Sequence, residues 1–214
     1  TGSDNLKVTS ALSNCTLTFS FVNDKAVLLL ETDSYYYLSS KNWGIIGLGT
    51  IGHRVAYLAE AFGCNIAYTS TSGVAREERF PRKELNELLQ WADVVSIHSP
   101  LNAKTAGLIG KAELETMKPT AIIINVARGG IIDEAALADA LNSDTIAGAA
   151  LDVFSSEPLP ASPLYDLKDP DSLLASPHTA WAADEAVKVL IEGVATNIKN
   201  FLLPLQGYLE NNIE

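Results

Sequence analysis

Short apolar runs alternate with segments of helical spacing along most of this 214-residue chain. The run at residues 120–126 is nearly continuous in apolar character, as expected for a strand that is buried on both faces of a parallel sheet. Predicted strands cover residues 43–46, 65–70, 93–98, 120–126, 146–153 and 173–176, and predicted helices cover residues 83–91, 111–117, 134–141 and 182–203. This order predicts an α/β protein with a right-handed, doubly wound parallel sheet, in which ligands bind beyond the carboxyl ends of the strands.

The first predicted strand runs directly into three glycines, Gly47, Gly49 and Gly52, and a further helix follows them and ends at Gly63. The apolar residues of that helix have helical spacing: Val55, Leu58, Ala59 and Phe62. Strand, G-x-G-x-x-G turn and helix together predict a dinucleotide site, in which Gly49 lets a pyrophosphate approach the backbone at the helix N-terminus. The alternative is a plain βα unit with incidental glycines, which the agreement of all three features disfavours.

The first forty residues are the least informative part of the chain. Residues 17–22 alternate weakly and are compatible with a strand, whereas the apolar residues 26–31 are compatible with a helix. Because neither segment has a motif around it, residues 1–40 are interpreted as a linker or a remnant of another domain. The remaining chain is predicted to form a dinucleotide-binding domain over residues 41–181, and a C-terminal helix and tail over residues 182–214 that return toward the N-terminal segment.

Composition narrows the classes of function. A hydrophobic content of 47% with 19% charged residues predicts a globular protein, and a net charge of -11 argues against nucleic-acid or anionic-membrane partners. Two cysteines, Cys15 and Cys64, predict neither a metal site nor a disulfide framework, so the cytoplasm is the expected compartment. Cys64 is expected to be a small buried residue. No apolar run is long enough to span a bilayer, and no signal peptide is recognisable.

Three loops that follow predicted strands each carry one ionisable residue: Arg128, Glu157 and His178. An arginine can grip a carboxylate or a keto oxygen with paired hydrogen bonds, and a histidine can exchange a proton near neutral pH. A carboxylate bonded to that histidine would favour the imidazolium and orient the ring. Beside a nicotinamide, these groups are what reversible hydride transfer to a carbonyl requires. Taken alone, Arg128 is also compatible with a surface cation, Glu157 with a solvated loop residue, and His178 with a capping or core histidine.

Four blocks of this sequence resemble the D-isomer-specific 2-hydroxyacid dehydrogenases: GIIGLGTIGHRVA, NVARGGIIDEAAL, GAALDVFSSEP and SPHTAW. They occur in the family's order and approximate spacing, and the resemblance covers residues 41–203. It implies that Arg128 binds the substrate carboxylate and keto group, and that Glu157 pairs with the catalytic histidine. It identifies His178 with that histidine, the general acid for keto-acid reduction. A glutamate rather than a glutamine at position 157 argues for 2-hydroxy and 2-oxo acids over formate.

The resemblance also implies a cofactor site for NAD or NADP, in which Thr50 and Ile51 correspond to the pair that contacts the pyrophosphate. The positions that match the nicotinamide side of the site are Ser99, Thr105, Val126 and Asp152, and Ala127 is a further predicted cofactor-binding residue. An acidic residue normally ends the second strand and bonds the ribose hydroxyls, but Ser70 occupies that position here. Other hydroxyl residues flank it: Thr69, Thr71 and Ser72. With Arg76 further along, this cluster predicts relaxed cofactor specificity or a preference for NADP, unless these are simply exposed loop residues.

The leading hypothesis is an NAD(P)-dependent oxidoreductase that interconverts a small 2-oxo acid and a D-2-hydroxy acid, and the family implies a homodimer. Family members have a second domain, built mostly from a segment ahead of the glycine turn, and only about forty residues precede the turn here. The alternative is an NAD(P)-binding module without catalysis, either a truncated remnant or a cofactor-sensing interaction protein like the family's corepressor relatives. The three ionisable side chains favour the enzyme, and the short N-terminal segment favours the module.

Overall fold

The computed structural model describes residues 6–9, 16–22, 25–30, 36–73, 78–159 and 161–212. The chain divides into two units, Thr1–Pro177 and His178–Glu214. The first unit contains both sheets, and the second contains the C-terminal helix. The sequence-based expectations for Cys15 and Arg76 lie outside the described residues.

The N-terminal segment forms an antiparallel sheet of four strands. These are β1 (Leu6–Thr9), β2 (Thr16–Val22), β3 (Lys25–Leu30) and β4 (Tyr36–Tyr37), in that spatial order. The strand predicted for residues 17–22 is confirmed, whereas the helix considered for residues 26–31 is wrong, because β3 pairs with β2 along its whole length. The antiparallel pairing runs from Val22 opposite Lys25 to Leu17 opposite Leu30, and it outweighs the helical propensity of the alanine and leucines in β3.

The second sheet has six parallel strands and confirms the predicted fold class. Its strands are β5 (Asn42–Ile46), β6 (Asn65–Thr69), β7 (Val94–Ile97), β8 (Ile122–Asn125), β9 (Gly148–Leu151) and β10 (Leu173–Ala175). Its connecting helices are α1 (Thr50–Ala61), α2 (Leu85–Trp91), α3 (Lys111–Thr116) and α4 (Glu134–Asn142). The spatial order β10-β9-β8-β7-β5-β6 reverses direction between β5 and β7. The crevice beyond the carboxyl ends of these two strands is where such sheets bind ligands.

Both faces of the parallel sheet are buried. Ile45 and Ile46 are adjacent on β5 and therefore point to opposite faces, and each belongs to a different hydrophobic cluster. The larger cluster, around Ile46, includes residues of α2, α3 and α4, and the smaller one includes residues of α1 and β6. Burial on both faces explains why the strands appear in the sequence as continuous apolar runs.

Helix α1 lies with its smallest residues against the sheet. Gly52, Ala56 and Ala59 are buried, whereas Leu58 is 61% exposed. The apolar spacing therefore predicted the helix correctly but not its buried face. Small side chains let the helix approach the glycine turn and β5 closely, which a leucine at the contact would prevent.

Cys64 follows α1 and is buried, which confirms the expectation from the sequence. Its thiol donates a hydrogen bond to the carbonyl oxygen of Leu38 at 3.3 Å. Burial raises the pKa of the Cys64 thiol to about 11. The thiol is therefore protonated and unreactive at neutral pH.

The second unit consists mainly of α5 (Asp184–Asn212). The sequence predicted its end at residue 203, before Pro204, but the helix continues to Asn212. A proline has a backbone angle that is compatible with a helix and removes one hydrogen bond, so a long helix can pass through it. In the part of the chain that the structure describes, no helix combines the length and apolar character needed to cross a bilayer.

Candidate cofactor and catalytic site

The glycine turn joins β5 to α1 and leaves open space at its centre. Gly47 has a φ of +94°, a left-handed conformation that favours glycine, and a Cβ there would overlap the Ser99 hydroxyl. A Cβ on Gly52 would overlap the carbonyl oxygen of Gly47. A Cβ on Gly49, in contrast, would meet nothing within 4 Å. Gly47 and Gly52 are thus required by the protein's own packing, whereas the open space beside Gly49 fits the approach of a ligand phosphate.

The N-terminus of α1 provides the donors for such a phosphate. Its N-cap residue is Gly49, and no side chain caps the first turn. Thr50 and Ile51 begin the helix and are exposed. The amides of a first helical turn have no partner within the helix, and the helix dipole favours a negative charge there. In a chain of net charge -11, these local dipoles are the feature that suits an anionic dinucleotide.

A pocket extends from the glycine turn across the carboxyl ends of β5, β6 and β7. Its lining includes Gly47, Gly49, Ser70, Thr71, Ser72, Glu78, His98 and Ser99. The Ser99 hydroxyl donates to the carbonyl oxygen of Ile46 at 3.1 Å and lies 3.0 Å from the Thr71 hydroxyl. The Ser70 and Ser72 hydroxyls are 3.2 Å apart. The structure therefore brings Ser70 and Ser99, both predicted cofactor residues, into one pocket with the glycine turn.

A series of hydrogen-bonded side chains leads from β5 through β7 to this pocket. The indole Nε1–H of Trp43 donates to Ser96 Oγ at 2.9 Å, and Ser96 Oγ lies 3.1 Å from His98 Nε2. A hydroxyl oxygen has two lone pairs and one proton, so Ser96 can accept from the indole and either accept from or donate to His98 Nε2. Burial lowers the pKa of His98 from 6.5 to about 4, so the ring is neutral at pH 7.

The depressed pKa of His98 predicts acid sensitivity of the fold. Below pH 6.5 the unfolded chain binds a proton at His98 that the folded chain does not bind until the pH falls to about 4. The unfolded state holds more protons in this window, so the free energy of unfolding falls as the pH is lowered through it. Because the ring is partly exposed, we expect a loss of about 2 kcal/mol from this group.

Urea unfolding at a series of pH values between 7 and 4 measures this loss. The control is His98→Gln, whose side chain can still accept a hydrogen bond from Ser96 but does not titrate. Its unfolding free energy should depend less steeply on pH over the same window. Parallel pH profiles for the two proteins would contradict the prediction.

The loop that carries Arg128 is fixed by the last residue of β8. Asn125 is buried, and its side-chain oxygen accepts from the N–H of Ala127 at 3.0 Å. Its side-chain nitrogen donates to the carbonyl oxygen of Arg128 at 2.9 Å. The Arg128 side chain is exposed and donates to the Ala127 carbonyl oxygen at 2.6 Å, and Val126 is also exposed. The predicted residues 126–128 thus lie together beyond the carboxyl end of β8.

The loop that carries Glu157 contacts the arginine loop. A Cβ on Gly129 would overlap the carbonyl group of Phe154, so the two backbones touch at this point. Glu157 Oε1 accepts from the N–H of Phe154 at 3.0 Å. Arg128 directly precedes Gly129 and Glu157 lies three residues after Phe154, so both loops lie at the same edge of the sheet.

Two other predicted residues are buried beside these loops. Asp152 directly follows β9, and its backbone N–H donates to Asn125 while its carboxylate accepts from the Ser176 hydroxyl at 2.6 Å. It thereby ties together the ends of β8, β9 and β10. Thr105 is fully buried, and its hydroxyl donates to the carbonyl oxygen of Pro100 at 2.6 Å. This bond stabilises the loop that follows β7.

His178 follows the end of β10 by three residues and begins the second unit. It has a φ of +53°, in the left-handed region that few residues other than glycine adopt. Its side chain is half-buried. Because it belongs to a separate unit, its pairing with Glu157 stays a prediction.

The family model described as "D-isomer specific 2-hydroxyacid dehydrogenase, NAD binding domain" matches residues 21–180. The chain belongs to the D-isomer specific 2-hydroxyacid dehydrogenase family. The match confirms the resemblance found in the sequence, and a cofactor of the NAD or NADP type follows from it.

Similar proteins of this family have names that describe 2-oxo acid chemistry. A glyoxylate reductase from Aeropyrum pernix is 42% identical over 180 residues, which are 82% of this chain and 52% of that protein. Two solved structures are also similar. An acyclic imino acid reductase (Bsp5) in complex with NADPH and D-Arg has 31% identity and a TM-score of 0.73, with coverage of 80% of this chain and 54% of the other. The NAD complexed form of a D-isomer specific 2-hydroxyacid dehydrogenase from Lactobacillus delbrueckii ssp. bulgaricus has 29% identity and a TM-score of 0.66, with coverage of 73% and 52%.

The chain spans about half the length of the curated relatives it matches. The matched part contains the glycine turn and the loops of Arg128 and Glu157. Among the described residues, no group of three or more His, Cys, Asp or Glu side chains is placed to hold a metal ion.

The sequence assigned no role to three polar residues near the cofactor pocket: His53, Glu78 and His98. His98 ends the third predicted strand and contacts Ser96 on the same strand, and the bond from Trp43 to Ser96 depends on the pairing of β5 with β7. Glu78 contacts His53 across 25 residues of chain. The local sequence signal for this pair is limited to His53 itself, a histidine that directly follows the glycine motif.

Proposed function

We propose that this chain carries the cofactor-binding half of a 2-oxo acid reductase. The enzyme would transfer a hydride between NAD(P)H and a 2-oxo acid to give a D-2-hydroxy acid. The observation that carries this proposal is the direct contact between the Arg128 loop and the Glu157 loop at the carboxyl edge of the sheet that holds the glycine turn. The names of similar proteins, such as glyoxylate reductase, support the substrate class.

Arg128 is proposed to bind the substrate. Its guanidinium is exposed, and its backbone is held by Asn125, so the side chain starts from a fixed position. A guanidinium can give two parallel hydrogen bonds to a carboxylate or to a carboxylate and the adjacent keto oxygen. It would thus orient the 2-oxo acid and stabilise negative charge that develops on the keto oxygen.

His178 is proposed to supply the proton to the keto oxygen during reduction and to remove it in the reverse direction. Glu157 is proposed to favour the protonated imidazole and to orient its ring. Bound NADH or NADPH supplies the hydride. The amides of Thr50 and Ile51 and the open side of Gly49 are proposed to hold its pyrophosphate. Ser70, Ser99, Thr105, Val126, Ala127 and Asp152 are the other residues proposed for the cofactor site.

A second candidate is an NAD(P)-binding module without catalysis. The observation that favours it is the match to the curated relatives, which covers about half of their length. Hydride transfer requires a site that excludes water around the substrate. A cofactor domain without the opposing wall of the substrate site would retain cofactor affinity and lose turnover.

An assay of cofactor oxidation separates the two candidates. NADH or NADPH would be mixed with glyoxylate, pyruvate or hydroxypyruvate, and cofactor affinity would be measured separately by calorimetry. The enzyme proposal expects turnover of at least one of these acids. Tight cofactor binding without turnover of any of them would support the module instead.

The variant Arg128→Lys tests the proposed substrate contact. Lysine keeps the charge but loses the fork of donors, so we expect the KM for the oxo acid to rise by about tenfold or more. Steady-state kinetics at saturating cofactor measures this change. The matched control is Arg54→Lys, an exposed arginine on α1 outside the Arg128 loop, for which the KM should stay the same. An unchanged KM in Arg128→Lys would remove Arg128 from the substrate site.

A further inference from the structure

An ion pair lies at the outer side of the cofactor pocket. His53, in the first turns of α1, and Glu78, in the segment after β6, are joined by a contact of 2.7 Å between Nε2 and Oε2. The Glu78 side chain is 15% exposed and that of His53 is 31% exposed. Glu78 lines the pocket together with Gly49 and Ser70. A carboxylate is therefore held beside the glycine turn by a partner from the helix that begins there.

The hydrogen bonds of His53 determine its charge. Its Nδ1 lies 2.9 Å from the carbonyl oxygen of Gly49, which can only accept a hydrogen bond. Its Nε2 faces the Glu78 carboxylate, which also accepts. Both contacts can be hydrogen bonds at the same time only when both ring nitrogens carry protons, as in an imidazolium. In that form the two N–H groups are directed to Gly49 and Glu78.

Charge in the rest of the pocket is scarce. Among the described lining residues, Glu78 is the one side chain with a formal charge at pH 7, since burial lowers the pKa of His98 to about 4. The nearby cation Arg79 is directed elsewhere, because its guanidinium contacts Glu60 at 2.7 Å and lies over the rings of Tyr57 and Phe80. A dianionic phosphate placed near Ser70 would therefore meet a carboxylate and no described arginine or lysine of the lining.

We infer that Glu78 determines cofactor selectivity: it accepts a hydrogen bond from the adenosine ribose of NAD and disfavours the 2′-phosphate of NADP. In many such folds an acidic residue at the end of the second strand bonds the ribose hydroxyls. This chain has Ser70 at that position, and Glu78 would take over the role. His53 holds Oε2, and the second carboxylate oxygen is the acceptor for the ribose. The inference rests on the proposed cofactor site and is opposite to the preference for NADP that the hydroxyl cluster and Arg76 suggest in the sequence.

The size of the effect follows from the ion pair. A carboxylate without a partner would repel the 2′-phosphate of NADP strongly, but the contact of Glu78 with His53 at 2.7 Å offsets part of its negative charge. We therefore expect the wild-type chain to bind NADH about tenfold more tightly than NADPH, rather than a thousandfold. In Glu78→Gln, which keeps the size of the side chain and removes the charge, this ratio should fall to about one.

Calorimetry of NADH and NADPH binding is the test, because it does not depend on turnover. The matched control is Glu60→Gln, which removes the same charge from a carboxylate that pairs with Arg79 outside the pocket and should keep the wild-type ratio. An unchanged ratio in Glu78→Gln, or an equal change in both variants, would overturn the inference. Failure of both dinucleotides to bind the wild-type chain would overturn the proposed cofactor site as well.

A second measurement needs no variant. The wild-type chain should bind AMP more tightly than adenosine 2′,5′-bisphosphate, since the two differ only in the 2′-phosphate. Equal or tighter binding of the bisphosphate would overturn the inference even if Glu78→Gln failed to fold.

Discussion

Replacement of His178 by alanine is expected to lower kcat by about 10²–10⁴-fold while the affinity for the cofactor stays nearly constant. The proposed role of this imidazole is to move one proton to or from the substrate oxygen, and that contribution is made only in the transition state. Single-turnover oxidation of NADH with a saturating 2-oxo acid measures the chemical step. Calorimetry with NADH measures affinity for the cofactor.

A structural role for His178 would give a different result. The residue has a φ of +53°, and glycine adopts this conformation with less strain than any other residue. We therefore expect His178→Gly to be as stable as His178→Ala or more stable, and equally inactive. Recovery of activity in the glycine variant, or a parallel loss of turnover and cofactor affinity in both variants, would exclude the proton-transfer role.

Replacement of Gly129 by alanine is expected to destabilise the fold by about 3 kcal/mol or more, or to prevent folding. The added Cβ would overlap the carbonyl group of Phe154. Both partners of this overlap are backbone, so no side chain can rotate away, and the Arg128 and Glu157 loops would have to separate. Thermal and urea unfolding measure the loss, and kcat/KM for the oxo acid should fall in any folded fraction.

The matched control for Gly129→Ala is Gly49→Ala. The Cβ of this variant meets nothing within 4 Å, and Gly49 has a φ of -87°, which alanine adopts without strain. Its unfolding free energy should match that of the wild type, while its affinity for NADH should fall because the Cβ occupies the space of the phosphate. Equal stability of the two alanine variants would contradict the backbone contact at Gly129.

The parallel sheet was predictable because its signals are local. Each strand appears as a short apolar run, and the turn between β5 and α1 is encoded in six consecutive residues, 47–52. The buried face of α1 was not predictable from the same signals. Apolar spacing marked Leu58, but the close approach required by the turn places Gly52, Ala56 and Ala59 against the sheet. The strand β3 was missed because its partner strand, rather than its own composition, determines its conformation.

The candidate site, like the fold, was predictable only as far as local sequence signals describe it. Arg128 and Glu157 were found because each follows a strand at the same edge, and parallel strands bring such positions together. The contacts that hold them, through Asn125 and Gly129, require knowledge of the loop geometry. The pairs His53–Glu78 and Trp43–Ser96 join residues 25 and 53 positions apart, and no local pattern encodes them.

The hydrogen bond from Trp43 to Ser96 provides the protein with an intrinsic optical reporter. Indole emission responds to the bonding of its N–H, and Ser96 also contacts His98 at the wall of the pocket. A molecule that engages His98 would therefore change the fluorescence of a tryptophan on the neighbouring strand. In a chain whose other tryptophans, at positions 91 and 181, are replaced by phenylalanine, occupancy of the pocket could be followed without any attached label.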